Sequence, residues 1–192
     1  MKEGYLAIVL HAHLPYVRHP EHAYSLEEHW FYEAITESYL PLLFVFEGLV
    51  QDGVDFRLSI SLTPTLVSML KDPFLQSRYV KRLNNLIELA EKESYRTRKQ
   101  PEFHALALMY HEKLRRVHQA FVDRFNGDLI EPFKRFQRLG KIELMASAAT
   151  HGYLPLLAVN PSAVRAQVAL GVEHHQQVFA RDPEGFWLPE CG

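Results

Sequence analysis

The chain has 192 residues, 47% hydrophobic and 12% aromatic, enough to bury a sizeable core, which excludes an intrinsically disordered chain. A formal charge of −2 and no run of more than two Lys or Arg leave no basic face for a phosphate backbone, so no nucleic acid is expected. No stretch approaches the roughly 20 apolar residues that span a bilayer, the N-terminal apolar run is too short for an export signal, and the single cysteine, Cys191, permits no intrachain disulfide. A cytoplasmic protein without a membrane partner is the expectation.

Tyr5 to Leu10 is a continuous apolar run ending in His11-Ala12-His13, the pattern of a strand buried on both faces. Ser25 with Glu28 three residues on reads as a capping box, opening a helix whose apolar residues recur from Phe31 to Val50, with Pro41 expected to kink or split it. Phe56 to Leu62 reads as the second strand and passes directly through Thr63-Pro64 into a helix. Asp72-Pro73 opens another, and after Gln100 a longer stripe runs through Phe103, Leu106, Tyr110, Leu114, Val117, Phe121 and Phe125, read as core packing. These helices form an excursion from the alternation. Lys141 to Ser147 is the third strand, leading into Thr150-His151-Gly152; Asn160-Pro161 opens a helix to about Phe179; Gly185 to Glu190 is the fourth strand.

Strands alternating with helices imply right-handed crossovers and a parallel sheet, with a barrel preferred. In such folds function gathers at the carboxyl ends of strands, and those ends are polar here: His11 and His13, Thr63, Thr150 and His151, and Glu190. His11 and His13, two apart on an extended chain, point to the same side. Three readings compete for them: metal ligands with His151 as a third, hydrogen-bonding groups for a polar substrate, or histidines satisfied in the core. Glu190, at the mouth of an apolar strand, suits a catalytic acid or nucleophile, against the alternative of a surface glutamate. Trp187 is a candidate either to stack on a sugar ring or to pack in the core, whereas Trp30, on a helix, reads as core. Glu27 and Glu28 are candidates for substrate hydroxyls, although helix-dipole stabilisation accounts for Glu28 as well.

Taken together, His11-Ala12-His13-Leu14-Pro15-Tyr16, the segment Gly140 to Leu144 leading to Ala149-Thr150-His151-Gly152, and Trp187-Leu188-Pro189-Glu190-Cys191-Gly192 resemble, in order and spacing, the first three signature regions of glycoside hydrolase family 57. Glu27-Glu28 and Tyr39-Leu40-Pro41-Leu42-Leu43 lie between the first two, and the likeness covers nearly the whole chain. It is greatest to the family's 1,4-α-glucan branching enzymes. The resemblance implies that residues 1–192 are the N-terminal portion of an incomplete (β/α)7 barrel. It also implies retaining double-displacement chemistry on α-1,4-glucan, and no required cofactor or metal. It assigns the nucleophile to Glu190 and places His11, His13 and His151 around the transferred sugar, with Trp187, Glu28 and Tyr24 as further substrate contacts. Tyr24 stands near where the family carries a tryptophan. The general acid/base is implied to be an aspartate of a fourth region beyond this chain.

The expectation is therefore that the isolated chain is inactive, lacks the C-terminal half of its barrel, and exposes strand edges and apolar surface. An α-amylase or 4-α-glucanotransferase of the same family would share the first half-reaction. A metal-dependent hydrolase or deacetylase and a non-catalytic glucan-binding relic are the alternatives of other classes.

Overall fold

Four parallel strands form in the computed structural model, which describes residues 4–192: β1 (Val9–Ala12), β2 (Leu58–Leu62), β3 (Ile142–Ser147) and β4 (Phe186–Trp187). Their spatial order is β1-β2-β3-β4. Each crossover thus steps one strand along in the same direction, as in a closing barrel. An open doubly wound sheet would instead reverse at a switch point.

The helices are α1 (Leu26–Ala34), α2 (Leu40–Gln51), α3 (Pro64–Leu70), α4 (Pro73–Arg96), α5 (Pro101–Gln119), α6 (Ile130–Arg138), α7 (Leu154–Leu157) and α8 (Pro161–Phe179). The chain divides into two compact units. The first contains the segment ending at Arg18 with Phe46–Met69 and Ile130–Gly192, and hence the whole sheet; the second contains His19–Val45 and Leu70–Leu129. The helical excursion is accordingly larger than expected, since it takes in residues between β1 and β2 as well as those between β2 and β3.

In the first unit the register places His11 beside Ser61, Ser61 beside Met145, and Ser147 beside Trp187. Alternation then puts His11, Ser59, Ser61, Glu143, Met145, Ser147 and Trp187 on one face. Ile60, Leu62, Ile142, Leu144 and Ala146 occupy the other and are buried. Helices α6 and α8 pack on β3, and Phe46 meets the Phe136 ring edge-on at 5.4 Å and stacks on Phe56 at 5.6 Å. Buried rings of this kind anchor the apolar side of the sheet and leave its polar side for chemistry.

Helix α6 escaped the sequence reading because it is only nine residues long, but its buried Ile130, Phe133 and Phe136 fall on one helical face. Asp72 and Asn160 cap α4 and α8 as expected, accepting from Phe74 N at 2.8 Å and from Ser162 N at 3.1 Å. The capping box does not form. Ser25 Oγ donates to Glu27 Oε2 at 2.6 Å instead, while Glu28 is engaged elsewhere. Pro41 does not split its helix either: residues Ile35–Tyr39 form a π-helical turn that carries α1 into α2, so the wider turn absorbs the amide hydrogen that proline lacks.

Other expectations need correction. Strand β1 begins four residues later than read and is not buried on both faces. Among the described residues β2 is its one ladder partner, and at this edge of the sheet Val9 is 46% exposed and Tyr5, ahead of the strand, 94% exposed. The fourth strand pairs only at Phe186 and Trp187, since Pro189 has no amide to donate and the backbone turns at Glu190 (φ 54°). Trp30 is half exposed, the buried positions of α1 being Glu28, Phe31 and Tyr32 on another face. Of the α5 stripe, Leu114, Val117 and Phe121 are buried while Phe103, Leu106 and Tyr110 are exposed. The N-terminal half of α5 thus carries an uncovered apolar face.

Gly171 lets α8 approach the end of β3. A Cβ there would stand 2.1 Å from the Ser147 carbonyl oxygen and 3.3 Å from Ala149 N, both rigid backbone atoms. Gly171→Ala is therefore expected to destabilise the chain by about 1–3 kcal/mol through overpacking, measurable by denaturant unfolding. Ala180 ends α8 in the left-handed conformation, φ 55°, where an L side chain is strained. Ala180→Gly should raise stability by up to ~1 kcal/mol in the same assay.

Candidate active site

The carboxyl ends of the four strands bring His11, His13, His151, Trp187 and Glu190 together. The rings of His13 and His151 stack at 3.9 Å between centroids, His11 lies 4.9 Å from His151, and Trp187 stacks on His11 at 5.1 Å with 17° between planes. Each imidazole is held at Nδ1 by a hydroxyl. His11 pairs with Ser61 Oγ at 2.5 Å, His13 with Thr63 Oγ1 at 3.0 Å, and His151 with Ser147 Oγ at 3.1 Å. The first pair follows from register, since His11 stands beside Ser61, and the second lies just past the ladder, where Thr63 N donates to the Ala12 carbonyl at 3.2 Å.

His151 reaches the cluster from a turn rather than a strand. Its φ is 56°, and Gln167 of α8 grips the preceding residue, accepting from Thr150 N at 2.9 Å and donating to Thr150 Oγ1 at 2.7 Å. Glu190 also sits in the left-handed region, followed by Cys191 at φ 60°. Of the positive-φ residues other than glycine, His151, Glu190 and Cys191 belong to this one neighbourhood. Strain of about 1–3 kcal/mol each persists only where the surroundings over-determine it, and it gathers at functional sites. The turn brings Glu190 Oε1 to 3.7 Å from His151 Nε2. The two groups differ sharply in exposure: the His151 side chain is 1% exposed and the Glu190 side chain 70%.

Burial dominates the electrostatics. It pulls the His11 imidazole below its ordinary value against the opposing pull of Glu190. His13 falls to about 4 through burial and the neighbouring His11, and His151 to about 4 through burial and then His13 and His11, with Glu190 opposing. Near neutrality the imidazoles are therefore uncharged hydrogen-bonding groups. A metal would need their in-plane lone pairs to converge at about 2.0–2.1 Å. Here the ring faces meet instead, and among the described residues no group of three or more His, Cys, Asp or Glu is arranged to hold a metal ion.

Glu28 and Tyr24 belong to the second unit. Glu28 is buried and accepts from His19 N at 2.9 Å, Tyr32 Oη at 2.9 Å and Arg78 at 2.7 and 2.9 Å, which fills the sites a carboxylate offers. Burial pushes its carboxyl up, but the Arg78, His19 and Tyr32 hydrogen bonds outweigh this and hold it below the usual value. Arg78 also donates to the His19 and His22 carbonyls at 3.3 and 2.5 Å, so the pair fixes the loop before Tyr24. Tyr24 is exposed and meets His29 edge-on at 4.4 Å.

Sequence reasoning missed Ser61, Ser147, Thr65 and Gln167. Ser59, Ser61 and Thr63 alternate with apolar residues, a period-2 hydroxyl row that marked the polar face of β2. Nothing in the sequence marked Gln167.

The model for "Glycosyl hydrolase family 57" matches residues 7–192. A 1,4-α-glucan branching enzyme of Thermococcus kodakarensis is 38% identical over 190 residues, covering 98% of this chain and 27% of that protein. Among solved structures, the GH57-type branching enzyme from Pyrococcus horikoshii superposes with a TM-score of 0.92 at 36% identity, covering 99% of this chain and 35% of the other. The α-amylase AmyC from Thermotoga maritima does so with a TM-score of 0.90 at 44% identity, covering 97% and 35%. The chain thus spans roughly a quarter to a third of these relatives, and its four parallel strands correspond to half of a barrel. Among the described residues no helix is long and apolar enough to cross a membrane.

Outside the cluster His175 is also buried, with neither ring nitrogen hydrogen-bonded, and burial followed by the nearby His174 and Arg181 lowers it to about 4. His13, His151 and His175 thus take up protons less readily folded than unfolded. The unfolded chain binds more protons between pH 6.5 and about 4, so stability is full above pH 6.5 and falls as pH drops. Between pH 6.5 and 5, above most carboxylate titration, His151 and His175 should each cost on the order of 1–2 kcal/mol. Urea unfolding across that window should show the slope, and His175→Leu should remove its share. A flat profile would refute the assignment.

Proposed function

We propose that this chain, which belongs to glycosyl hydrolase family 57, is the N-terminal part of the catalytic domain of a retaining α-glucan-active enzyme, a 1,4-α-glucan branching enzyme, with Glu190 as nucleophile. The observation that carries the reading is the placement of Glu190 Oε1 3.7 Å from the buried His151, at the carboxyl end of a parallel sheet where such folds keep their chemistry. In the first half-reaction a Glu190 oxygen attacks the anomeric carbon and the α-1,4 bond to the bridging oxygen breaks. That oxygen takes a proton from the general acid, and a glycosyl–Glu190 ester is left. In the second, a 6-hydroxyl of an acceptor glucan gives its proton to the same group, now a base, attacks the anomeric carbon and frees Glu190.

His11, His13 and His151 supply hydrogen bonds to the transferred sugar, and Trp187 supplies an aromatic face. Retaining chemistry needs a second carboxyl group about 5–5.5 Å from the first. Glu143 shares the polar face but is tied to Ser59 Oγ at 2.7 Å, four residues before Ser147 on β3 and so ~13 Å along the strand. The general acid/base is assigned to a part of the full-length protein outside this chain.

The α-amylase at 44% identity favours a second reading, hydrolysis, in which water replaces the 6-hydroxyl in the second half-reaction. Amylose incubated with the full-length enzyme separates them: the branching reading expects new α-1,6 linkages, and their absence alongside release of reducing ends would reverse the choice. Glu190→Gln in the full-length enzyme is expected to lower turnover by ~10³-fold or more while leaving glucan binding largely intact. Near-normal turnover would dismiss the nucleophile. The purified 192-residue chain is expected to neither branch nor hydrolyse.

A further inference from the structure

We propose that Ser147 and the Thr63–Thr65 pair are positioning residues that hold His151 and His13 in the Nδ1–H tautomer, leaving Nε2 of both rings as hydrogen-bond acceptors. The direction of each hydrogen bond follows from where it terminates. The Ser147 hydroxyl has one proton, and its Oγ lies 2.9 Å from the Trp187 carbonyl oxygen, which can only accept. Ser147 Oγ must then accept from His151 at 3.1 Å, so Nδ1 carries the proton. A second chain runs the same way. Thr65 donates to the Leu14 carbonyl at 3.1 Å, Thr63 donates to Thr65 Oγ1 at 3.2 Å, and Thr63 Oγ1 accepts from His13 Nδ1 at 3.0 Å. Carbonyls at the far end of both relays fix the protons at the near end.

His151 Nε2 is buried and has no hydrogen-bond partner. As a bare acceptor it faces a second acceptor, Glu190 Oε1, at 3.7 Å, an arrangement that only an inserted donor satisfies. Hydroxyl groups of a neutral sugar supply such donors; phosphorylated or carboxylated sugars bring further acceptors and are turned away. The tautomers stand on geometry alone, whereas this selectivity rests on the α-glucan reading.

The test is the imidazole nitrogen spectrum of the chain labelled with ¹⁵N-histidine, recorded near neutral pH without sugar, with His13→Gln and His151→Gln assigning the signals. We expect protonated Nδ1 and bare Nε2 for both residues, and in Ser147→Ala a shift of His151 toward the Nε2–H form while His13 is unchanged. Ser147→Cys, which keeps the shape but weakens the acceptor, should give a smaller shift and serves if the alanine variant fails to fold. Nε2–H in the unsubstituted chain overturns the assignment. So does an unaltered His151 tautomer in a variant whose backbone amide spectrum shows an intact fold. Because the spectrum needs no turnover, it is independent of the outcome of Glu190→Gln.

Discussion

Burying imidazoles at the end of a parallel sheet is the constraint on which the rest of the site depends. An unpaired buried polar nitrogen costs about 1–3 kcal/mol, and two rings stacked at 3.9 Å cannot both be charged without repulsion in a low-dielectric place. One device meets the second cost and, at Nδ1, the first, leaving only His151 Nε2 of the buried cluster nitrogens without a partner. Each ring hands Nδ1 to a hydroxyl, from Ser61, Thr63 or Ser147, and the rings remain neutral. Parallel register supplies the first of these hydroxyls, since residues 11 and 61 stand side by side on β1 and β2, and the second lies just past the ladder, where Thr63 N donates to the Ala12 carbonyl. Sheet geometry and site chemistry are in this sense one structure.

The third imidazole shows what register cannot do. His151 lies four residues beyond Ser147, so the chain must double back, and it does so through a left-handed residue clamped by Gln167. Helix α8 thereby contributes to the site through its hold on Thr150. Gly171 brings the helix against the Ser147 carbonyl, and four residues earlier Gln167 holds Thr150, the two positions lying on one helical face. Packing of α8 on β3 and orientation of His151 are coupled, and the smallest side chain sits where the backbones must meet.

Much of this was legible in the sequence because it rests on local rules. Asp72-Pro73 and Asn160-Pro161 announce their helices through capping chemistry that holds wherever it occurs, and the polar residues terminating four apolar runs located the site. Long-range packing was less legible. The Ser25–Glu28 spacing fits a capping box, yet Glu28 is drawn to Arg78, fifty residues away, and a buried ion pair with two further donors, His19 N and Tyr32 Oη, outweighs a local cap. Trp30 and the α5 stripe show the other weakness: periodicity says which residues share a face but not whether anything covers that face. The end of β4 was misread because an extended pattern continues through Pro189 in the sequence, whereas the ladder ends at Trp187 and the chain turns at Glu190.

The exposure of Glu190 bears on how this chain relates to its longer relatives. A nucleophilic carboxylate gains most from fixed dipoles in a site from which water is excluded. At 70% exposed, Glu190 has its geometry, held by the turn from Pro189 to Cys191 and placed against His151, while water screens its interactions. The imidazoles are the reverse: His151 is already desolvated and its tautomer already set. The imidazoles are thus preorganised for hydrogen bonding, whereas the Glu190 carboxylate is still solvated. In the proposed enzyme, a surface that covered Glu190 would remove that screening and strengthen its interaction with His151.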